Sequence, residues 1–163
     1  MPPAQMDFKD KIVLLTGASS GIGYSLAKLL PKENCSLALL SRREKILNDL
    51  ANEIKIDESQ VRAYRCDVGK IDEVRDTFEQ VRKDFGKIDI AILNAGVSSR
   101  TEVSKYSSSI AKEIFEANIF GIVNCVEQLL PYFIKRKEGM IVGVSSLADS
   151  RGYPRSGFYN ASK

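Results

Sequence analysis

The chain has 163 residues, which is enough for one domain with a substantial buried core and too few for two ordinary domains. Apolar residues make up 44% and charged residues 28%, as in ordinary soluble globular proteins. The net charge is only +3 and the longest cationic run is Lys135-Arg136-Lys137 at a predicted helix end, so nucleic-acid binding is not expected. The absence of histidine excludes Ser-His-Asp and Cys-His nucleophiles and histidine-ligated metal sites.

The start of the chain, Met1 to Gln5, has no charged region leading into an apolar one, so no signal peptide is expected. No apolar run approaches the roughly 20 residues that a membrane span needs. The three cysteines are widely spaced and form no CxxC pair, which is typical of buried thiols in a reducing compartment. These features predict a soluble, cytoplasmic protein that interacts with no membrane.

Short apolar runs alternate with longer amphipathic stretches along the chain. Strands are predicted at 12–15, 37–40, 61–66, 88–93 and 140–144. Helices are predicted from the first strand's turn to Pro31, around 46–54, at 71–85, from about 108 to 135, and from about 158. Five alternations predict βαβ units and therefore an α/β, doubly wound parallel sheet with helices on both faces. Residues 1–163 are predicted to form a single domain, because no linker or repeat interrupts the pattern.

The first predicted strand leads directly into the segment Thr16-Gly17-Ala18-Ser19-Ser20-Gly21-Ile22-Gly23, from which a helix begins. Glycine permits a tight turn and lets backbone amides approach a pyrophosphate, and the helix N-terminus adds free N–H groups. The glycines could also form a tight turn that binds nothing, but the first βα junction favours a dinucleotide site. No Gly-Lys-Ser/Thr follows, which excludes a nucleoside triphosphate loop.

The end of the second strand reads Leu40-Ser41-Arg42-Arg43, and no carboxylate follows until Glu44. An acidic residue there would bind the ribose hydroxyls of NAD and repel a 2′-phosphate, whereas a basic residue does the reverse. The arginines could instead begin a solvated helix face. Their position favours NADP(H).

The glycine spacing, G-x-x-x-G-x-G after a threonine, resembles that of the short-chain dehydrogenase/reductase family. Further motifs follow in the family's order: Cys66-Asp67-Val68, Leu93-Asn94-Ala95-Gly96, and Ser146 thirteen residues before Tyr159-Asn160-Ala161-Ser162-Lys163. Leu93 stands where the family usually has a first asparagine. The resemblance, which is to the single-domain branch, implies a Rossmann-type fold in which Asp67 contacts adenine and Asn94 is tied to the central sheet.

Tyr159 and Lys163 are one turn apart and therefore share a helix face. A phenol is a poor proton donor near neutral pH, and an ammonium group beside it stabilises the phenolate. Tyr159 could then give a proton to a carbonyl oxygen or remove one from an alcohol, while Ser146 holds the same oxygen. The resemblance implies that Lys163 also reaches the nicotinamide ribose.

Asn118 lies in the middle of a predicted helix, where asparagine has poor propensity. It either lies on a polar helix face or, as the resemblance implies, marks a backbone bend that holds a water next to the catalytic lysine. The predicted catalytic residues are Asn118, Ser146, Tyr159 and Lys163. The residues predicted to contact the cofactor are Gly17, Ser19, Ser20, Gly21, Ile22, Gly23, Ser41, Arg42, Arg43, Asp67, Val68, Asn94, Ala95, Gly96, Tyr159 and Lys163.

The predicted function is an NADP(H)-dependent oxidoreductase that transfers hydride between nicotinamide and a carbonyl or secondary alcohol, without a metal. The alternative is a non-catalytic NADP-binding or scaffold protein of the same fold. The identity of the small-molecule substrate cannot be read from the sequence: within 147–158, Arg151 and Arg155 could suit an anion or be solvated.

The family resemblance also carries expectations about the whole protein. Family members continue beyond the catalytic lysine, so the C-terminal strands are expected to be missing, the functional protein to be longer, and this piece alone to be inactive. Members commonly pair two helices across a twofold axis, which here would be the helix from about 108 to 135 and the one from about 158. A homodimer or homotetramer is therefore expected.

Overall fold

The computed structural model describes residues 7–55 and 60–163. The opening residues from which the absence of a signal peptide was argued lie outside this range. Five parallel strands form one sheet in the order β3-β2-β1-β4-β5. Their bounds are β1 Ile12–Thr16, β2 Ser36–Ser41, β3 Val61–Arg65, β4 Ile90–Leu93 and β5 Met140–Gly143. This confirms the predicted α/β fold, and it places the reversal of strand order at the neighbouring strands β1 and β4, where open α/β sheets bind ligands.

Within residues 7–55 and 60–163, six α-helices connect and cover the strands. Their bounds are α1 Gly21–Leu29, α2 Glu44–Ile54, α3 Ile71–Phe85, α4 Ser108–Phe115, α5 Gly121–Arg136 and α6 Gly157–Ser162. A π-helical turn, Glu116–Phe120, joins α4 to α5. Short 3₁₀ turns lie at Leu30–Glu33, Val103–Lys105 and Leu147–Asp149.

The central strands are buried on both faces, as their continuous apolar runs predict. Leu15 and Leu39 point to a core beneath α1 and α2, whereas Leu14 and Leu40 point to a second core with Phe78 of α3. All five of these side chains are fully buried, and each contributes about 1.5 to 3 kcal/mol on transfer from water. The two cores hold the carboxyl ends of β1, β2 and β4 in fixed register.

Helix α1 is shorter than predicted, and two of the apolar residues in its predicted pattern are exposed. It ends at Leu29, and Pro31 lies in the first turn of the 3₁₀ segment that follows. Ile22 and Leu29 are 63% and 55% exposed. The periodicity correctly located the helix, but Ile22 belongs to the edge of the cavity described below rather than to the core.

At the amino end of β4, the buried carboxylate of Asp89 is held by three elements. It accepts hydrogen bonds from the backbone N–H of Ile12 at 2.9 Å and from the guanidinium of Arg136 at 3.0 Å, and Lys87 lies 3.0 Å away. Burial opposes ionisation of Asp89, but these partners outweigh it and keep its pKa below the usual range. Arg136 lies at the end of α5, as predicted for the cationic run, and it also connects that helix to the start of β4 through Asp89.

The helical segment Ser108–Arg136, which is 29 residues long, could cross a membrane by its length and composition. The sequence reading found no such run because polar residues such as Asn124 and Glu127 interrupt the apolar ones. One such helix is weak evidence for a membrane span, since the core helices of soluble proteins can have the same length and composition. In this fold Cys125, Leu129 and Phe133 pack the segment against the second core.

Candidate active site

A cavity of about 650 Å³ opens at the carboxyl edge of the sheet, within the size range of small-molecule sites. All the residues predicted to contact a cofactor line it except Gly23, Tyr159 and Lys163. The sequence reading missed five further lining residues, Leu40, Cys66, Val97, Ser98 and Ala117. Each of these lies within one or two residues of a predicted one, so a wider window around each motif would have found them.

The turn between β1 and α1 leaves no room for larger residues at two of its glycines. Gly17 has φ +70°, and a Cβ there would lie 2.7 Å from the Cα of Ala95. A Cβ on Gly23 would overlap the carbonyl of Gly17, which explains why Gly23 supports the turn from behind instead of lining the cavity. Ser20, the N-cap residue of α1, makes no side-chain capping bond, and the first turn contains no acidic residue. The helix N-terminus therefore offers its N–H groups to an anion such as a pyrophosphate.

Thr16 and Asn94 join the carboxyl ends of β1 and β4. The hydroxyl oxygen of Thr16 accepts the backbone N–H groups of Asn94 and Ala95, both at 3.0 Å. The side-chain amide of Asn94 donates to the carbonyl oxygens of Thr16 at 3.0 Å and Gly17 at 3.3 Å. Asn94 is thus bonded both to the end of β1, as expected for a residue tied to the sheet, and to the glycine turn.

The segment after β3 forms the opposite wall of the cavity. The carboxylate of Asp67 accepts the N–H of Gly69 at 3.1 Å, and the backbone N–H of Asp67 donates to Glu73 at 3.0 Å. That backbone bond is the main reason why the pKa of Glu73 lies below its usual range. Burial raises the pKa of the neighbouring Cys66 thiol to about 11, so it is a packing residue, as are the other two buried cysteines.

Asn118 lies in the π-helical turn and is only 2% exposed. Its side-chain oxygen accepts the N–H of Val97 at 2.7 Å, and its amide donates to the carbonyl of Val97 at 2.9 Å and to the hydroxyl of Ser162 at 2.8 Å. The alternative of an asparagine on a polar helix face is therefore wrong, and the predicted backbone irregularity is present. The Asn118 side chain therefore connects the π-helical turn between α4 and α5 to the loop after β4 and to α6.

Tyr159 lies on α6, and Lys163 lies directly after the last residue of that helix. Both side chains are partly buried. The ammonium group of Lys163 lies 5.8 Å from the centre of the Tyr159 ring and donates to the carbonyl of Val144 at 3.2 Å. A Cβ on Gly96, which lines the cavity, would lie 3.7 Å from that ammonium group. Lys163 is therefore next to the cavity wall without being part of it.

Ser146 caps the 3₁₀ turn that follows β5. Its hydroxyl accepts the N–H of Ala148 at 3.2 Å, which leaves the hydroxyl proton available for a further partner. A separate cavity of about 430 Å³ lies nearby and is lined by Thr101, Glu102, Tyr106, Arg155, Gly157 and Phe158. Arg155 thus belongs to a cavity wall, whereas the Arg151 guanidinium lies over the ring of Tyr153.

A second Tyr-x-x-x-Lys sequence occurs in α1, as Tyr24 and Lys28. Its ammonium group lies 4.8 Å from the centre of the tyrosine ring, closer than in the pair on α6. Lys28 is bound to the carboxylate of Glu53 at 2.6 Å, whereas Lys163 lies next to Gly96 of the cavity wall. The spacing alone therefore does not define a site.

The fold and cavity define a Rossmann-type protein with a candidate dinucleotide site at the carboxyl edge of its sheet. A family model described as short chain dehydrogenase matches residues 11–163. An uncharacterised oxidoreductase of Listeria monocytogenes is 33% identical over 158 residues, which cover 97% of this chain and 64% of that protein.

Solved structures of the same kind superpose closely. A short-chain dehydrogenase/reductase from Burkholderia phymatum in complex with NAD has a TM-score of 0.91 at 26% identity, covering 97% of this chain and 57% of that one. An alcohol dehydrogenase from the archaeon Thermococcus sibiricus, complexed with 5-hydroxy-NADP, has a TM-score of 0.87 at 28% identity, covering 94% and 66%. The chain belongs to the short-chain dehydrogenase family. It spans less than two thirds of the length of these relatives.

Proposed function

We propose that the protein is an NADP(H)-dependent oxidoreductase that interconverts a carbonyl group and a secondary alcohol on a small molecule. The observation that carries the proposal is the position of Lys163: its ammonium group lies 5.8 Å from the centre of the Tyr159 ring and would lie 3.7 Å from a Cβ on Gly96 of the cavity wall. The tyrosine–lysine pair is thereby adjacent to a cavity of about 650 Å³.

The residues around the cavity fit a dinucleotide. The uncapped N-terminus of α1 would bind the pyrophosphate, Asp67 the adenine end, and Lys163 the nicotinamide ribose. A nicotinamide bound there would supply or accept the hydride. Relatives of known structure bind either form of the cofactor, according to their descriptions. Arg42 and Arg43 at the end of β2 favour the phosphorylated form for this chain.

Proton transfer is assigned to the protein's own side chains. Tyr159 donates its phenolic proton to the carbonyl oxygen during reduction, and Lys163 stabilises the phenolate that remains. The free hydroxyl proton of Ser146 would hold the same carbonyl oxygen. Asn118 fixes α6 against the loop after β4 through Ser162 and Val97, and the π-helical turn supplies the backbone bend expected beside Lys163.

The proposal is tested by NADPH consumption with a panel of carbonyl compounds, using the protein in its full length. Tyr159→Phe keeps the ring and removes the proton, so turnover should fall by about 10² to 10⁴ while NADPH affinity stays nearly unchanged. Tyr24→Phe is the matched control, because Tyr24 also has a lysine four residues later. This variant should keep wild-type turnover. A Tyr159→Phe protein with more than about a tenth of wild-type activity would contradict the mechanism.

We also propose that the chain forms one domain and that the full-length protein assembles as a homodimer or homotetramer through α5 and α6. A row of apolar side chains, Phe120, Val123, Leu130 and Ile134, is about half exposed or more on the long helix. Phe120→Glu together with Ile134→Glu should shift the sedimentation coefficient of the full-length protein to that of a monomer. An unchanged assembly would place the interface elsewhere.

A further inference from the structure

The second cavity, of about 430 Å³, lies at the start of the helix that carries the tyrosine–lysine pair. One of its walls contains Arg155, Gly157 and Phe158, and Phe158 directly precedes Tyr159 in the chain. Consecutive Cα atoms are about 3.8 Å apart, so the cavity begins one residue away from the proposed proton donor. It is thus placed to hold the part of a substrate that lies beyond the reacting carbonyl.

Arg155 lies in a tight turn whose backbone conformation is unusual for arginine. The N–H of Ser156 donates to the carbonyl of Tyr153 at 3.2 Å, which closes the turn. Pro154 and Arg155 are its two central residues, and Arg155 has φ +64°, where glycine or asparagine is the usual residue. The carbonyl of Arg155 also accepts the N–H of Thr101 at 2.7 Å. The backbone that carries the guanidinium is therefore fixed to the opposite wall of the cavity.

The guanidinium of Arg155 is free to bind a ligand. It is exposed, and it makes no hydrogen bond or ion pair with any residue that the structure describes. The guanidinium of Arg151, by contrast, lies over the ring of Tyr153. All five N–H donors of Arg155 are therefore available, and a carboxylate matches their planar arrangement with two parallel hydrogen bonds.

The rest of the lining suits an aromatic or apolar body with a polar end. The rings of Tyr106 and Phe158 lie 4.9 Å apart between their centres, and Tyr106 is 72% exposed. Aromatic faces of this kind contribute binding energy to apolar ligands. The hydroxyl oxygen of Thr101 is buried and has no hydrogen-bond partner within the described part of the chain. Buried polar atoms normally have a partner, so a polar atom of a ligand would complete this site.

The charge around the cavity favours an anion. Residues 100–106 and 149–158 contain four cationic side chains and two carboxylates. One carboxylate, Glu102, lies in the cavity lining and is 3.8 Å from the ammonium group of Lys105. The other, Asp149, accepts the hydroxyl proton of Ser145 at 3.0 Å. The local excess of positive charge raises the concentration of anions at the cavity.

We propose that this cavity selects substrates in which the carbonyl group is joined to an aromatic or apolar body that ends in a carboxylate, and that Arg155 binds this carboxylate. The inference rests on the proposed carbonyl–alcohol chemistry. In that reaction the hydride goes to the carbonyl carbon and the Tyr159 proton to its oxygen. Arg155 touches neither of these atoms and determines which substrate is bound.

Consumption of NADPH or NADH by the full-length protein with matched pairs of ketones tests this selectivity. Para-acetylbenzoate and para-acetylphenylacetate are each compared with their own carboxamide, which has nearly the same shape and no charge. The value of kcat/KM should be about 10-fold higher for the acid, since hydrogen bonds between charged groups are the stronger ones. The preference should decrease as salt is raised, because Arg155 is exposed.

Variants of the two arginines separate a bound carboxylate from a general effect of charge. Arg155→Gln should bring the acid-to-amide ratio of kcat/KM to about one, chiefly by raising KM for the acids. Arg155→Lys keeps the charge without the planar donors, so it should retain part of the preference. Arg151→Gln is the matched control: it removes the same charge from the same segment and should leave the ratio as in wild type.

A further variant tests the aromatic part of the cavity. Tyr106→Ala removes ring surface and no charge, so it should raise KM for acids and amides alike and leave their ratio as it is. A change of the ratio in this variant would mean that Tyr106, and not Arg155 alone, recognises the carboxylate.

Three results would overturn the inference: equal kcat/KM for acids and amides in the wild type, a preference that survives Arg155→Gln, or equal losses in the Arg155 and Arg151 variants. A wild-type protein that oxidises neither NADPH nor NADH with any ketone would instead refute the proposed function. Calorimetric titration with para-ethylbenzoate and para-ethylbenzamide then tests the cavity by itself. Tighter binding of the benzoate that is lost in Arg155→Gln would support the carboxylate site, and equal binding of the two compounds would overturn it.

Discussion

The two Tyr-x-x-x-Lys pairs of the chain have the same spacing and different surroundings. On α1, Lys28 lies over the ring of Tyr24 and is bound to the carboxylate of Glu53 at 2.6 Å. On α6, Lys163 lies beside Tyr159, donates to the carbonyl of Val144, and faces the cavity wall at Gly96. In each pair the two residues are one helical turn apart and therefore adjacent, so geometry within the helix does not distinguish the pairs.

What distinguishes the pairs is the element that each helix packs against. The α1 pair faces α2, whose Glu53 neutralises the ammonium charge at the surface. The α6 pair faces the carboxyl ends of the sheet, where Asn118 binds Ser162 between Tyr159 and Lys163. A charge partnered by a dipole can still act on a neighbouring phenol or ribose, whereas a charge paired with a carboxylate is largely cancelled. The position of each pair in the fold therefore determines which pair can act on a ligand in the cavity.

The largest expected difference between the pairs concerns the two lysines. Lys163→Met should lower turnover about 100-fold, roughly 2.7 kcal/mol of transition-state stabilisation, and should also weaken NADPH binding. Both effects are expected because the variant removes the ammonium from the phenol and from the ribose together. Steady-state kinetics and calorimetry on the full-length protein measure them separately.

The matched variant is Lys28→Met, which removes the other ammonium from its tyrosine. It should leave turnover and NADPH affinity within about twofold of wild type, since Lys28 is paired with Glu53 of α2. If both lysine variants lose activity equally, the α6 pair has no special role. If neither does, Lys163 does not support Tyr159.

A smaller effect is expected from the asparagine that supports the α6 pair. Asn118→Leu would leave the N–H and carbonyl of Val97 and the hydroxyl of Ser162 without their buried partner. Unsatisfied buried groups of this kind cost about 1 to 3 kcal/mol each, so the free energy of unfolding should fall by about 3 kcal/mol. Turnover per folded molecule should also fall, because α6 loses its tie to the loop after β4.

Asn124→Leu is the control for this prediction, because Asn124 lies on the same long helix and makes one bond, to the carbonyl of Val68 at 2.9 Å. It should cost about 1 kcal/mol in urea denaturation and leave turnover unchanged. Equal losses of stability in the two variants would mean that Asn118 is an ordinary buried amide. Loss of stability without loss of turnover would remove its proposed link to Lys163.

Local patterns were sufficient to predict the elements whose cause is local. Helix α3 has the predicted bounds, because five apolar residues at helical spacing end at a glycine, Gly86, that adopts the left-handed conformation with φ +78°. The central strands β1, β2 and β4 were located because an apolar run buried on both faces can be recognised without knowing its partner strands. Many of the residues that line the cavity could be predicted for the same reason, since each motif lies at the end of a strand.

Contacts between distant residues could not be predicted in this way. Arg136 and Asp89 are 47 positions apart and meet only because the end of α5 returns to the start of β4. The bonds from Arg43 to Ser19 and Ser20 likewise depend on two loops that the sheet brings side by side. The number and type of arginines were visible in the sequence, but their unequal contacts were not.

The smallest expected effect concerns the ion pair on α1. The pKa of Lys28 is raised above its ordinary value, first by the hydrogen bond to Glu53 and then by that to Tyr24. Interactions that raise the pKa of a lysine in the folded state also stabilise that state. The stabilisation is complete below the unfolded lysine pKa of about 10.4, and it is lost as pH rises through the folded pKa. Glu53→Gln should therefore slightly lower the urea midpoint at pH 8, and the gap from wild type should close as pH rises through the folded pKa of Lys28. Because the side chains of Lys28 and Glu53 are 38% and 55% exposed, 1 M salt should also narrow the gap.

Glu113→Gln, which removes an exposed carboxylate from α4, controls for net charge. A gap that persists undiminished at high pH and high salt would mean that Glu53 acts by packing, and the charge cancellation that separates the two tyrosine–lysine pairs would lose its support.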